Sequence, residues 1–268
     1  MTIFAAVILP ETAHVCTDTA CFQADGEFYS FTSKLFPLPH IDAVIGGRGA
    51  REPLADAYCE LLAEPLPNGV DDLAERGQEI FRRRFARYMT RTGRTARIIS
   101  MAEFATTTPD EMMEAFVIGY SYSLKVYRGL AFHNIESDFA PMFFDPNSDM
   151  MSPPANVVGF QWTTSQPGVH DVVRASKAQY KAAAENGLGN YVGGEVQAAT
   201  LRPGSIEVRT IDRYPNYNNL VTAIGGTVRP LASKSPEARQ NTPQAPQGLS
   251  RAERRRLERE QRKGRRHA

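Results

Sequence analysis

Hydrophobic positions near the N-terminus come as short unbroken runs rather than as helical stripes. Ile3 to Leu9 is apolar throughout, Pro10-Glu11-Thr12-Ala13 reads as a turn, and His14 to Ala20 reads as a second strand. Paired as a hairpin, the two strands bring Asp18 back toward the start of the first, next to Thr2. Lys34 opens another apolar stretch, through Leu38 and on to Ala43-Val44-Ile45, which ends in Gly46-Gly47-Arg48-Gly49. Glycine there permits close backbone approach to a ligand.

The period then lengthens. Pro53 to Glu64 has Leu54, Ala57, Tyr58, Leu61 and Leu62 on one helical face, with Pro53 allowed in the first turn. Asp71 to Thr90 repeats the pattern, with Leu73, Ile80, Phe81, Phe85, Tyr88 and Met89 inward and Arg82, Arg83, Arg84 and Arg87 mostly outward. Apolar runs at Ala96–Met101, Ala115–Tyr122, Lys125–Phe132 and Val157–Trp162 read as strands, and Val169–Glu185 reads as a third helix. Glu195–Leu201, the turn Arg202-Pro203-Gly204-Ser205 and Ile206–Ile211 form a hairpin. Helices grouped between blocks of strands predict a layered α+β class rather than alternating βαβ units, and a four-layer αββα sandwich satisfies that order.

The C-terminus differs in kind. Residues 231–250 are rich in Ser, Pro, Gln and Asn and poor in apolar residues, which predicts a linker between a domain over 1–230 and a tail over 251–268. The tail holds nine basic and three acidic residues, so the overall charge of +1 conceals a basic tail and a net of −5 before it. Such a tail either attracts an anionic partner through its arginines or is a solvated, partly helical end. It has no interleaved aromatics for base stacking, and the acidic balance of the rest argues against nucleic-acid binding as the main function.

At 268 residues the chain can bury a full core in one domain. Its three cysteines, Cys16, Cys21 and Cys59, fit a reducing compartment and buried thiols better than disulfides or zinc ligands, so no metal is expected. Glycine-rich phosphate and dinucleotide motifs are lacking, so no nucleotide cofactor is expected. The first apolar run is too short for a signal peptide or a membrane span, which predicts a cytoplasmic protein with no membrane contact. The five histidines fall in no recognisable nucleophile motif.

Thr2, Asp18 and Lys34 stand in two equal steps of sixteen residues, and Thr2 becomes the first residue once Met1 is removed. An N-terminal threonine carries its own base, because its α-amine, with an ordinary pKa of about 8, can take the hydroxyl proton. With the strand patterns around them and the glycine pair before a helix, these residues resemble the proteasome β-type subunits and HslV-like peptidases of the N-terminal-nucleophile hydrolases. The resemblance implies Thr2 as nucleophile, Asp18 paired with Lys34 to tune it, and the Gly47 N–H, after a one-residue gap, holding the oxyanion. It further implies a peptide or amide substrate and a homo-oligomer. Where that family carries Asp-x-x-Ser-Gly-Gly, this chain has Gly189-Asn190-Tyr191-Val192-Gly193-Gly194: the glycines match and the Asp and Ser do not. By that resemblance, Asn190 and Ser165 are the candidates to stand in for the family's supporting network. Two function classes follow, a threonine hydrolase or a non-catalytic structural or assembly protein keeping the same fold.

Overall fold

A computed structural model describes residues 2–23, 26–104, 107–164, 166–188 and 191–227. The expected linker over 231–250, the basic tail over 251–268, Ser165 and Asn190 lie outside the described residues. Among the described residues are twelve strands in three antiparallel sheets and six α-helices, a mixed α and β architecture.

In chain order, β1 (Phe4–Ile8) and β2 (Ala13–Asp18) make the expected hairpin, and β3 (Ala20–Phe22) pairs with β4 (Phe28–Phe31) in a small ribbon. Next come β5 (Phe36–Leu38), β6 (Ala43–Gly49), α1 (Arg51–Ala63), α2 (Val70–Arg91) and a single turn, α3 (Met101–Phe104). They are followed by β7 (Met113–Ser121), β8 (Val126–His133), β9 (Met142–Phe144), β10 (Ser148–Ser152), α4 (Ala155–Val158) and α5 (Val169–Glu185). The last elements are β11 (Glu195–Arg202), β12 (Ser205–Arg213) and α6 (Tyr217–Ala223). One five-stranded sheet runs β10-β1-β2-β11-β12 and the other β5-β6-β7-β8-β9.

Alternation along the strands divides the core. Phe4, Ala6 and Ile8 of β1 pack with Val44 of β6, Phe116 and Ile118 of β7 and Tyr127 of β8, a cluster shared by both large sheets. Phe4 stacks on Phe116 with ring centroids 4.5 Å apart. From the other face of β1, Ile3, Ala5 and Val7 pack with Val172, Val173 and Ala175 of α5. On β7, Ala115 and Val117 turn away from Phe116 and join Leu54 and Leu61 of α1 and Leu73, Phe81 and Phe85 of α2. Strands buried on both faces read as unbroken apolar runs, which is why β1 carries no polar alternation. Each large side chain so buried contributes roughly 1.5–3 kcal/mol.

The structure departs from the expected elements at definite places. Ala96–Met101 is not a strand: Ile99 makes one isolated bridge with Ile135, and Met101 begins α3. The local reason is a reciprocal cap, in which the Ser100 N–H donates to Glu103 Oε2 at 3.0 Å and the Glu103 N–H donates to Ser100 Oγ at 3.4 Å. Val157–Trp162 is not a strand either. Pro154 stands at the N-cap of α4, and Gly159 ends that helix in the left-handed region at φ 66°. Leu62, expected inward, is 44% exposed, because it sits one residue round the helix from buried Leu61. The β3–β4 ribbon, β9, β10 and α6 were not anticipated. Among the described residues no helix is long and apolar enough to cross a membrane.

Candidate functional site

The β1–β2 register pairs Phe4 with Thr17, and continuing it sets Ile3 opposite Asp18 and Thr2 opposite Thr19. Asp18 is therefore the last residue of β2 at the point where the first strand begins. The Ile3 N–H donates to Asp18 Oδ1 at 3.0 Å, so the carboxylate binds the residue directly after Thr2. Lys34 Nζ donates to Asp18 Oδ2 at 2.9 Å, an ion pair whose carboxylate is fully buried and whose lysine side chain is 9% exposed. A third donor, the Gly193 N–H, reaches Oδ2 at 3.1 Å. A carboxylate offers about four lone-pair positions, so three convergent donors hold it in one orientation.

Lys34 reaches this place because β5 is short. The β5–β6 pairing stops at Phe36 with Ile45, and continuing that register sets Lys34 opposite Gly47, beyond the last paired residue. Gly47 is closely packed on β6. A Cβ on it would lie 2.5 Å from the Glu114 carbonyl oxygen and 2.6 Å from Leu54 Cδ2. One cavity of about 120 Å³ is lined by Thr2, Lys34 and Gly47 together, with Cys21, Tyr29 and Arg51 among its other walls. Thr2 is itself 6% exposed. The four candidate residues therefore gather at one place: Thr2, Lys34 and Gly47 on the cavity wall, and Asp18 behind it.

Cys16, two residues before Asp18, is fully buried and its thiol is pushed up to about 12, chiefly by burial, so it stays protonated at neutral pH. His14 is buried with its ring Nδ1 3.1 Å from Thr200 Oγ1, a structural contact on the β11 side.

The Gly193-Gly194 turn behind Asp18 is held by hydrogen bonds from both sides. Thr19 and Ala20 donate their N–H groups to the Gly193 carbonyl at 3.2 and 3.0 Å, and the Tyr214 N–H donates to the Gly194 carbonyl at 2.9 Å. Asn216 closes the turn from the other side: its Nδ2 donates to the Val192 carbonyl at 2.8 Å and its Oδ1 accepts from the Gly194 N–H at 3.2 Å. Asn216 is the N-cap residue of α6, yet its side chain makes no capping bond and is spent on the turn instead. Sequence reasoning missed Asn216. Its only local signal was an Asn after Pro215 before a helix, which reads as an ordinary cap.

Asn216→Ala removes both of these bonds and leaves the Val192 carbonyl and the Gly194 N–H without their partner, so it is expected to destabilise the fold by about 1–3 kcal/mol. Asn216→Asp, which can still accept from Gly194 but cannot donate to Val192, is expected to fall between the two. Chemical denaturation of the three proteins checks the order, and an alanine variant as stable as the wild type would contradict it.

No protein-family model matches the chain, and a search of curated proteins found no match.

Proposed function

We propose that this chain is a threonine hydrolase of the N-terminal-nucleophile kind, with an αββα layering, which cleaves amide or peptide bonds once Met1 has been removed. The observation that carries this reading is the buried Asp18–Lys34 pair at the wall of a cavity that Thr2 and Gly47 also line. The layering is supported by the three core clusters, one shared by the two large sheets and one on the outer face of each beneath helices.

In the proposed reaction the Thr2 hydroxyl oxygen attacks the amide carbonyl carbon and its proton passes to the Thr2 α-amine. The tetrahedral oxyanion is held by the Gly47 N–H. The carbon–nitrogen bond then breaks as the α-amine returns the proton to the departing amine, leaving an ester on Thr2. Water cleaves that ester by the same route, with the α-amine again taking and returning a proton. Lys34, fixed by Asp18, supplies a positive charge beside the nucleophile that favours the deprotonated oxygen. A homo-oligomer that encloses the site belongs to the same proposal.

Intact mass before and after treatment with a peptide epoxyketone tests it, with Thr2→Ala as control. Loss of Met1 and a single adduct that is absent from Thr2→Ala are the expected results. A retained Met1 covers the amine, and with no adduct on the wild type it would sink the hydrolase reading. One observation favours the second class, a non-catalytic protein on the same fold: the stretch before Gly193-Gly194 lacks the Asp and Ser that support the nucleophile in the resembled family.

A further inference from the structure

Four charged side chains line the cavity beside Thr2: Lys34, Arg48, Arg51 and Asp110. Three are cations. The counter-charges of two of them are not on the lining: Asp18 holds Lys34 from a fully buried position, and Glu114 pairs with Arg48, whose guanidinium also lies 4.9 Å over the Phe104 ring. Arg51 is placed differently. Its Nη2 donates to Thr32 Oγ1 at 3.0 Å, and among the described residues no carboxylate lies within ion-pair distance of it. Asp110, the lining's one anion among the described residues, faces Arg94 at 3.8 Å, and Arg94 is not on the lining. The pairs thus leave Arg51 as the lining's one guanidinium without a carboxylate partner among the described residues, and the cavity wall with one uncompensated positive charge. A cleft with low-dielectric walls concentrates such a field.

We propose that the substrate residue next to the scissile amide is acidic, a glutamate or aspartate, and that Arg51 is the residue that reads its carboxylate. This rests on the hydrolase reading above and names its substrate class. A guanidinium matches a carboxylate with two parallel N–H bonds, which a lysine or an amide in the substrate cannot reproduce. Phe22, Phe36 and Tyr191 supply apolar wall for the methylene stem of a glutamate. The buried charges at Asp18 and Lys34 are already paired, so they hold the nucleophile and leave discrimination to Arg51.

The test uses the full-length chain and three epoxyketone peptides that differ only beside the warhead, carrying glutamate, leucine or lysine. Labelling of Thr2 is expected to be about tenfold or more faster with glutamate than with leucine, and slowest with lysine, where like charges meet. Arg51→Glu is expected to invert the glutamate-to-lysine ratio. Faster labelling by leucine or lysine in the wild type, or an unchanged ratio in Arg51→Glu, would overturn the proposal while leaving the hydrolase reading in place. Failure of all three probes would remove the hydrolase reading instead. The pocket is then judged by fluorescence anisotropy of the same peptides without warheads on the Thr2→Ala chain: tightest binding of the glutamate peptide supports Arg51 as its reader, and equal binding of the three overturns it.

Discussion

Asp18→Ala is expected to lower the stability of the folded chain by about 3–5 kcal/mol, the cost of leaving one buried charge without its partner, and to abolish labelling of Thr2. Lys34 is 9% exposed at its side chain and would lose its one ion-pair partner among the described residues. Two backbone donors, at Ile3 and Gly193, would lose their acceptor at the same time. The effect is therefore expected to exceed that of Asp18→Asn, which keeps the shape and one acceptor oxygen but turns an N–H toward donors. A double variant, Asp18→Ala with Lys34→Met, separates the two causes. Removing both charges costs less than removing one, because a buried ion pair is stabilising mainly against its own half-broken form. Equilibrium urea unfolding of the three variants measures this. A double variant no more stable than Asp18→Ala would show that the orphaned lysine charge is not the origin of the loss. Labelling stays absent in all three, since Lys34 is then either unanchored or gone.

Gly193→Ala is expected to destabilise by about 2–6 kcal/mol, from backbone strain of roughly 1–3 kcal/mol together with overpacking of similar size. Gly193 has φ 139°, a conformation that L side chains rarely adopt. Its missing Cβ would also lie 2.1 Å from Asn216 Oδ1 and 2.3 Å from Nδ2, inside the amide that clamps the turn. Relief by either route moves the Gly193 N–H off Asp18 Oδ2, so the probe reaction is expected to slow with the loss of stability. The pair Gly193→Ala and Asn216→Gly divides the terms, because truncating the amide removes the collision and leaves the strain. Partial recovery of stability in the double variant relative to the sum of the singles is the expected sign of coupling between neighbours. Strict additivity would place the whole cost in the backbone.

These two residues also show how the site is made. Asp18 could be found from the chain because it is a local consequence of strand pairing: a hairpin with its turn at residues 9–12 must return its second strand to the start of the first. Gly193 carried a weaker sign, a glycine pair in a familiar place, and its contact with Asp18 spans 175 residues of sequence. Arg51 had no sign at all, being one of 31 basic residues until the cavity set it apart from the paired ones.

The chain's own pattern determined the long elements. Runs buried on both faces could only be central strands, and the stripes of α1, α2 and α5 could only be helices packed on one side, because those periods are local properties of the backbone. Short segments escaped it, since in Ala96–Met101 and Val157–Trp162 a cap, a proline and a glycine outweigh a few apolar side chains. The spacing of Thr2, Asp18 and Lys34 was likewise legible, and so was the approach of Asp18 to Thr2 on the first hairpin, whereas the pairing of Lys34 with Asp18 was implied by the family resemblance alone. Only the tertiary structure decided what surrounds them: Gly193 and Asn216 behind Asp18, Gly47 opposite Lys34, and, among the described residues, the separation of Arg51 from a carboxylate. The reason is that hydrogen bonds and Coulomb forces act over a few ångströms in space, and residues distant along the chain reach that range only after the sheets and helices have closed on their shared cores.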